Sequence, residues 1–166
     1  MQERLAQKRE YMNVAIITCS DTRDITEDEA GHALAECVQS RDWELLQHIV
    51  VKDDKCEIMD ALIRASSILE ADVIFTCGGT GLGPRDVTPE ASLAVADRVV
   101  PGIAEAIRQF SLNITKRAML TRAVCVQRKA SLIINLPGSR KAALECFEIC
   151  ADQLEHAVDM MAGKGH

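Results

Sequence analysis

A short apolar run followed at once by a cluster of glycines is the feature that most limits how this chain folds. Residues 73–75 are predicted to form a buried strand, and Gly78, Gly79, Gly81 and Gly83 follow within the next eight residues. Glycine adopts positive φ angles and allows the backbone to come close to a ligand. Because the amide N–H groups of such a loop favour a bound anion, we predict a phosphate-binding turn.

The residues after the glycines predict the start of a helix. Thr88 is expected to be its N-cap, Pro89 fits the first helical position, and Glu90 suits the first turn. Arg85 and Asp86 lie inside the loop. By residue type, Arg85 is expected to face a phosphate rather than to pair with Asp86, which is a metal ligand or a polar anchor. A strand, a glycine loop, a cation and a carboxylate together predict a nucleotide or phosphorylated-ligand site.

The spacing of the glycines fits neither of two common phosphate motifs. The P-loop pattern G-x-x-x-x-G-K-[ST] is not met after Gly78 or Gly79. Residues 79–83 miss the dinucleotide pattern G-x-G-x-x-G, because the third glycine comes one residue early. A purely structural connection, in which the glycines only allow tight turns, therefore stays open.

Length and charge limit the classes of protein. The 166 residues fit one domain, placed at 13–166 after a charged extension of residues 1–12. A net charge of −6 and few aromatic side chains argue against a broad nucleic-acid surface. Residues 1–11 lack the apolar core of a signal peptide, and no apolar run is long enough to span a membrane. We therefore expect a cytoplasmic protein.

Seven cysteines are scattered along the chain without a C-x-x-C pair. Cys146 and Cys150 are four residues apart and would share a helix face. We therefore interpret the cysteines as reduced thiols in the core rather than as ligands of a zinc site.

Apolar periodicity predicts strands that alternate with helices. The strands are placed at 13–19, 43–51, 72–76, 123–126 and 131–136, the last two as a hairpin. Helices are expected after a capping box of Thr26 and Glu29, after Asp54 with Glu57, and after Ser139. This order predicts a three-layer α/β/α domain whose mostly parallel sheet gains an antiparallel edge hairpin.

The stretch after the glycine loop is harder to assign. Residues 88–110 are predicted to be helical with a break at 100–102, and residues 111–120 are ambiguous. On that helix, Asp97 and Arg98 are expected to form an ion pair or a subunit contact.

Polar turns follow several of the predicted strands, at 20–23, 76–86 and 136–139, and Asp53 follows the second strand. Since ligands of open α/β sheets bind beyond the carboxyl ends of the strands, we expect these turns to lie together. The candidate ligand-binding residues are Ser20, Asp21, Thr22, Thr76, Gly78, Gly79, Thr80, Gly81, Arg85, Pro137, Gly138 and Ser139.

Structural roles compete for several of these residues. Asp21 could form an Asx turn at the end of a strand. Ser20 and Thr22 could only cap their loop, and Gly138 and Ser139 could only cap the last helix.

These motifs resemble the molybdenum-cofactor biosynthesis domain family, which includes the MogA and MoaB proteins and the G domain of gephyrin. The matching segments are residues 20–23, 76–81, 85–90, 94–98 with 101–102, and 135–138. The resemblance covers about residues 13–150, and the Gly-Gly-Thr-Gly…Arg-Asp-x-Thr-Pro-Glu combination is highly specific. Residues 94–98, 108–112 and 128–129 are more similar to MogA. The charged N-terminus is more similar to MoaB, and the chain ends near where MogA proteins carry a further segment.

The resemblance implies an activity: adenylyl transfer from ATP to the terminal phosphate of molybdopterin, with release of pyrophosphate. It also implies Mg²⁺ dependence, with Asp53 and Asp86 as the catalytic and metal-binding carboxylates, although Asp54 competes with Asp53 for its place in the alignment. The nucleophile would be the substrate phosphate, so no Ser, Cys or His base is needed. Homo-trimers or hexamers are expected.

Two other functions stay open. A MoaB-like scaffold would hold molybdopterin without efficient adenylyl transfer, and a hydrolase like the related competence-damage protein domain would act on nucleotides or phosphoanhydrides without pterin. Whether the substrate arrives free or is handed over by another molybdenum-cofactor enzyme also stays open.

Overall fold

The computed structural model describes residues 11–164 and shows strands alternating with helices. In chain order the elements are β1 (Asn13–Cys19), α1 (Glu29–Ser40), β2 (Glu44–Val51), α2 (Lys55–Ser67), β3 (Val73–Cys77), α3 (Thr88–Val95), β4 (Arg98–Val99), α4 (Pro101–Ile114), β5 (Cys125–Arg128), β6 (Ser131–Leu136) and α5 (Arg140–Met161). A first 3₁₀ helix (Ile25–Glu27) precedes α1, and a second 3₁₀ helix (Lys116–Leu120) follows α4.

The strands form one mixed sheet in the order β2-β1-β3-β6-β5-β4. β2, β1, β3 and β6 run parallel, whereas β5 is antiparallel to both of its neighbours. The predicted parallel sheet with an antiparallel edge hairpin is confirmed. Because the chain moves from β1 to β2 on one side and then returns to β3 on the other, the strand order reverses between β1 and β3. A crevice at such a reversal is the usual ligand site of open α/β sheets.

Two apolar layers cover the sheet, as the predicted α/β/α arrangement requires. One layer packs α1, α4 and α5 against side chains such as Ile16, Phe75 and Ile134. The other packs α2 and α3 against Ile17, Ile74 and neighbours on the opposite face. Alternate strand residues thus point to opposite layers, and both faces of the central strands are buried.

Two of the predicted helix caps are confirmed and two are wrong. Asp54 accepts hydrogen bonds from the first turn of α2, and Ser139 accepts one from Ala142 N in α5. The capping box of Thr26 and Glu29 is wrong. Asp24 and Glu27 form the box on the first 3₁₀ helix, and Asp28 caps α1.

Thr88 was expected to cap α3, but it is the first residue of that helix, and Val87 occupies the cap without a side-chain hydrogen bond. The Thr88 side chain is fully buried and packs against Gly79 of the glycine loop.

The segment after α3 also differs from its prediction. The helix ends at Val95, and Arg98 and Val99 form the short edge strand β4, paired with β5. Asp97 therefore does not lie on a helix. Its carboxylate accepts a hydrogen bond from Lys129 N and so holds β4 to the hairpin turn. The ambiguous stretch continues α4 to Ile114 and then forms the second 3₁₀ helix.

Residues 1–10 of the proposed N-terminal extension lie outside the described residues, and Met12, at its end, is buried in the core.

The seven cysteines are free thiols, five of them buried. Burial raises the pKa of the Cys150 thiol to about 12, which keeps it protonated and unreactive. Among residues 11–164, no helix is long and apolar enough to cross a membrane.

Candidate functional site

The turns that follow β1, β3 and β6 come together at the carboxyl edge of the sheet, as predicted. Gly78 N donates to the carbonyl of Leu136 at 3.0 Å, which joins the glycine loop to the turn after β6. Arg23 Nη1 donates to the carbonyl of Gly138 at 2.8 Å, which joins the turn after β1 to the same place. Asp53, at the end of β2, completes the group.

Gly78 and Gly79 are glycines for a structural reason. Both have positive φ, +96° and +65°. A Cβ on Gly78 would lie 2.6 Å from the carbonyl oxygen of Cys19, and one on Gly79 would lie 2.3 Å from Thr88 Oγ1. The glycine loop therefore packs directly on β1 and α3, and no side chain fits between them.

The glycine loop presents donors that the protein does not use. Within residues 11–164, the amide N–H groups of Gly79, Thr80 and Gly81 donate to no protein acceptor. Three successive free amide groups on a loop at the end of a strand are suited to an anion such as phosphate.

Asp21 and Asp53 hold each other across the ends of β1 and β2. Asp21 N donates to Asp53 Oδ2 at 2.9 Å, and Asp53 N donates to Asp21 Oδ1 at 3.2 Å. Arg85 reaches over from the glycine loop and makes a bidentate pair with Asp21, with N–O distances of 2.9 and 3.0 Å. The expectation that Arg85 does not pair with Asp86 agrees with this contact. The positive charge of Arg85 is instead neutralised by Asp21. Its phosphate contact stays a prediction.

The two linked carboxylates differ in their proton affinity. Burial, assisted by the nearby charges of Asp21 and Asp86, raises the pKa of Asp53. The Arg85 guanidinium lowers the pKa of Asp21. Asp53 Oδ1 is buried and has no hydrogen-bond partner among residues 11–164. An anionic oxygen in that position gains stability from a bound cation.

Asp86 combines a structural role with a free oxygen. Its Oδ2 accepts from Gly83 N at 2.8 Å, and its own N–H donates to the carbonyl of Gly83. This is the turn contact that the sequence left as the alternative to a functional role. Oδ1 accepts no hydrogen bond within the described residues.

The remaining predicted residues divide into two groups. Ser20 Oγ accepts from the amides of Thr22 and Arg23, so it closes its own turn. Thr76 is fully buried, and its hydroxyl accepts from Asn135 Nδ2 inside the sheet, away from the loop surface. Thr22 and Ser139 are exposed at the rim, and Pro137 lines the neighbouring cleft.

The donor set at this edge fits a hard divalent cation. Residues 11–164 contain no group of three or more His, Cys, Asp or Glu side chains that could hold a metal. Mg²⁺, however, usually takes only one or two carboxylates and completes its shell with phosphates and water. Asp53, with its unpaired buried oxygen, and Asp86, with its free Oδ1, match that requirement.

A largely apolar cleft of about 300 Å³ opens beside the glycine loop. Thr80, Gly81 and Pro137 form its wall towards the loop, and residues of α4, the second 3₁₀ helix, the segment 121–124, β6 and α5 form the rest. Its polar lining includes Arg108, Ser111, Thr121 and Glu145. Sequence reasoning missed this cleft because it left residues 111–120 unassigned. Apolar residues with a few converging polar groups are typical of small-ligand pockets.

Arg122 is a second feature that sequence reasoning missed. Its guanidinium donates to the carbonyls of Gly81 and Asp86 and to the carboxylate of Glu90. These partners lie 32 to 41 residues away in the chain, and no local motif marks the contact.

The fold and this edge define a class: an α/β protein with a glycine loop and two carboxylates at the reversal of strand order. Residues 15–156 match the family described as "Probable molybdopterin binding domain". The chain belongs to this molybdenum-cofactor biosynthesis family, and the resemblance seen in its motifs is confirmed.

Individual relatives agree with this assignment. A molybdopterin adenylyltransferase of Helicobacter pylori is 33% identical over 92% of this chain and 89% of its own length. One of Escherichia coli is 37% identical over 82% of this chain and 72% of its own length. The crystal structure of the molybdopterin biosynthesis enzyme MoaB from Thermus thermophilus matches with a TM-score of 0.84 and 38% identity, covering 92% of this chain and 98% of that one.

Proposed function

We propose that the chain is a molybdopterin adenylyltransferase that transfers AMP from ATP to the terminal phosphate of molybdopterin. The observation that carries the proposal is one juxtaposition. Three amide N–H groups of the glycine loop, which donate to no acceptor within residues 11–164, lie beside two carboxylates, Asp53 and Asp86. Two of these loop residues, Thr80 and Gly81, also line the apolar cleft. Relatives named for this activity support it.

In this reaction an oxygen of the pterin phosphate bonds to the α-phosphorus of ATP, while the bond from that phosphorus to the bridging oxygen breaks and pyrophosphate leaves. Such transfers need positioning and neutralisation of charge more than covalent help from the protein. The amide groups of Gly79, Thr80 and Gly81 would bind phosphate oxygens. Arg85 would exchange Asp21 for a phosphate, since both are bidentate acceptors.

Asp53 and Asp86 would hold Mg²⁺, which when bound neutralises phosphate charge and orients the groups that react. Burial of Asp53 strengthens its attraction for a cation, because charges interact more strongly away from water. The described part of the chain offers its Oδ1 no other partner.

The apolar cleft is the place for the ring system of the pterin. Its wall is formed by the same Thr80 and Gly81 whose amides would bind phosphate, so a ligand can occupy the cleft and the glycine loop at once. Arg108, Ser111 and Thr121 would supply the polar contacts that orient it.

Assembly and cellular location belong to the same proposal. Several large apolar side chains of α4 and the second 3₁₀ helix are exposed, namely Phe110, Leu112, Ile114, Met119 and Leu120. Such a surface favours self-association into the trimer or hexamer expected from the family resemblance. Sedimentation showing only a monomer near 18 kDa would contradict it.

The free thiols favour a reducing compartment, the cytoplasm, where other molybdenum-cofactor enzymes could deliver the substrate.

The second candidate is the MoaB-like scaffold expected from the family resemblance, a protein that binds molybdopterin without efficient transfer. Both candidates use the glycine loop and the cleft. They differ in whether the two carboxylates contribute to chemistry, and product formation separates them.

The test is to incubate the purified protein with molybdopterin, ATP and Mg²⁺ and to quantify adenylylated molybdopterin by mass. Asp86→Asn removes a site carboxylate, and Asp60→Asn, on the exposed face of α2, is the matched control. We expect product from the wild type and from D60N and almost none from D86N. Tight pterin binding without product would favour the binding protein. ATP consumption without pterin would favour a hydrolase.

A further inference from the structure

The side chain of Arg122 connects both ends of the glycine loop to the start of α3. On the near side, Arg122 N donates to the carbonyl of Thr80 at 2.9 Å, and Nε donates to the carbonyl of Gly81 at 2.7 Å. On the far side, Nη2 donates to the carbonyl of Asp86, and Nη1 pairs with Glu90 in the first turn of α3. One residue therefore contacts the loop before and after its exposed tip.

The exposed tip has few other restraints. Residues 82–85 are exposed, and the hydrogen bonds within the tip, among described residues, are the two between Gly83 and Asp86. Arg85 adds its pair with Asp21. The contacts of Arg122 with Gly81 and Asp86 tie the two ends of this small turn to the body of the domain, and the exposed pair of Arg85 with Asp21 ties its tip.

The guanidinium is suited to this task in a way that an ammonium is not. It is planar and carries five N–H donors in a fixed geometry, so it can serve three acceptors in different directions. Arg122 is about one third exposed and partly desolvated, which strengthens these bonds.

We propose that Arg122 is a positioning residue for adenylyl transfer. It fixes the glycine loop so that the Asp86 carboxylate and the free amide groups of residues 79–81 stay aligned with each other. Because Thr121 and Ala123, on either side of Arg122, line the cleft, the same residue holds the loop in register with the cleft. The inference rests on the proposed function for its catalytic part, and on the contacts alone for its structural part.

The test compares Arg122→Gln and Arg122→Lys with Arg64→Gln, an exposed arginine on α2 outside the site. A loop displaced by about 1 Å is expected to reduce kcat about a hundredfold. We expect this loss for R122Q and a loss almost as large for R122K. Pterin affinity, measured by fluorescence, should change by less than about threefold, because the cleft itself is intact.

A double-mutant cycle distinguishes positioning from general damage. If Arg122 acts through Asp86, R122Q in the D86N background should reduce single-turnover rates by less than about twofold further. A full additional hundredfold loss in that background, or an R122Q enzyme within twofold of wild type, would overturn the proposal.

Hydrogen–deuterium exchange tests the structural part without any turnover. Exchange of the hydrogen-bonded amides of Gly83, Asp86 and Thr88 should rise at least about tenfold in R122Q and stay unchanged in R64Q. Unchanged exchange in R122Q would overturn the role of Arg122 in holding the loop. Raised exchange in R122Q, combined with a wild-type protein that forms no product, would instead show that the proposed function, and with it the catalytic role, is wrong.

Discussion

Asp21 and Asp53 exchange hydrogen bonds across two neighbouring parallel strands, each accepting the backbone N–H of the other on a carboxylate oxygen. This reciprocal contact aligns the ends of β1 and β2. It uses Oδ2 of Asp53 for structure and leaves Oδ1 buried, with no partner in the described part of the chain. The same side chain can therefore position a loop and bind a cation.

Substitution of Asp53 separates it from its neighbour Asp54. In D53N the amide oxygen can still accept from Asp21 N, but the charge is lost, so we expect adenylyl transfer to fall at least about a hundredfold. In D54N the new side chain still caps α2, because Asn is as good a cap as Asp, and transfer should stay within about twofold. Initial rates of both variants decide this. Equal losses of activity in the two variants would show that Asp53 was wrongly assigned as the functional carboxylate.

Arg85 is expected to affect nucleotide binding more than the fold. Its pair with Asp21 is exposed, and ion pairs at such positions add little to stability. R85Q should leave the urea midpoint unchanged but raise KM for ATP about tenfold, the cost of one charge-assisted contact. Unfolding curves and ATP titrations measure the two effects. An unchanged KM would show that Arg85 serves only Asp21.

Gly78 and Gly102 form a matched pair of glycines. A methyl group on Gly78 would collide with the carbonyl oxygen of Cys19 at a positive φ, so G78A should lose about 2 kcal/mol or more of unfolding free energy. At Gly102, in the first turn of α4, nothing lies within 4 Å of an added Cβ. G102A should be neutral or stabilising by about 0.5 kcal/mol. Urea unfolding compares them, and similar values would contradict the predicted constraint.

Asp28 predicts a specific dependence of stability on pH. Its buried carboxylate accepts from Thr18 Oγ1 at 2.6 Å, His48 Nε2 at 2.7 Å and Gly31 N at 3.0 Å. Burial alone would raise its pKa, but these hydrogen bonds outweigh burial and lower the pKa below the usual Asp value. Its contribution is therefore fully present above the unfolded pKa of about 3.9 and is lost as pH falls through the folded pKa.

D28N should accordingly reduce the unfolding free energy by about 3 kcal/mol at pH 5 to 7, because it removes one partner of a buried pair. The difference from wild type should shrink when unfolding is measured below pH 4. Asp60→Asn is the exposed control and should show no such trend. A difference for D28N that stays constant down to pH 3 would contradict the assignment.

Local sequence signals predicted most of the fold. Continuous apolar strands such as 13–19 and the caps at Asp54 and Ser139 depend on neighbours within a few residues, and all are confirmed. The capping box of Thr26 and Glu29 was misassigned because several acceptors compete within residues 24–29. Thr88 was misassigned because its side chain is buried beside the glycine loop, inside the first turn of α3. The strand β4 has only two residues and forms through pairing with β5, which no local period reveals.

The site was predictable where it follows from strand ends and not where it depends on tertiary contact. The loops after β1, β3 and β6 were placed correctly, because parallel strands share a carboxyl edge. The pairing of Arg85 with Asp21 spans 64 residues, and the contacts of Arg122 link segments with no common motif. Such contacts are set by packing, so sequence spacing carries no sign of them.

The most direct test of the central claim follows the α-phosphate of ATP. Wild-type protein is given molybdopterin, Mg²⁺ and ATP labelled at the α-phosphate, and products are separated and identified by mass. The proposed reaction predicts that the label appears in adenylylated molybdopterin, with one unlabelled pyrophosphate released for each, and only when pterin is present. Label that stays in ATP, or that appears as free AMP or ADP regardless of pterin, would contradict the assignment as a molybdopterin adenylyltransferase.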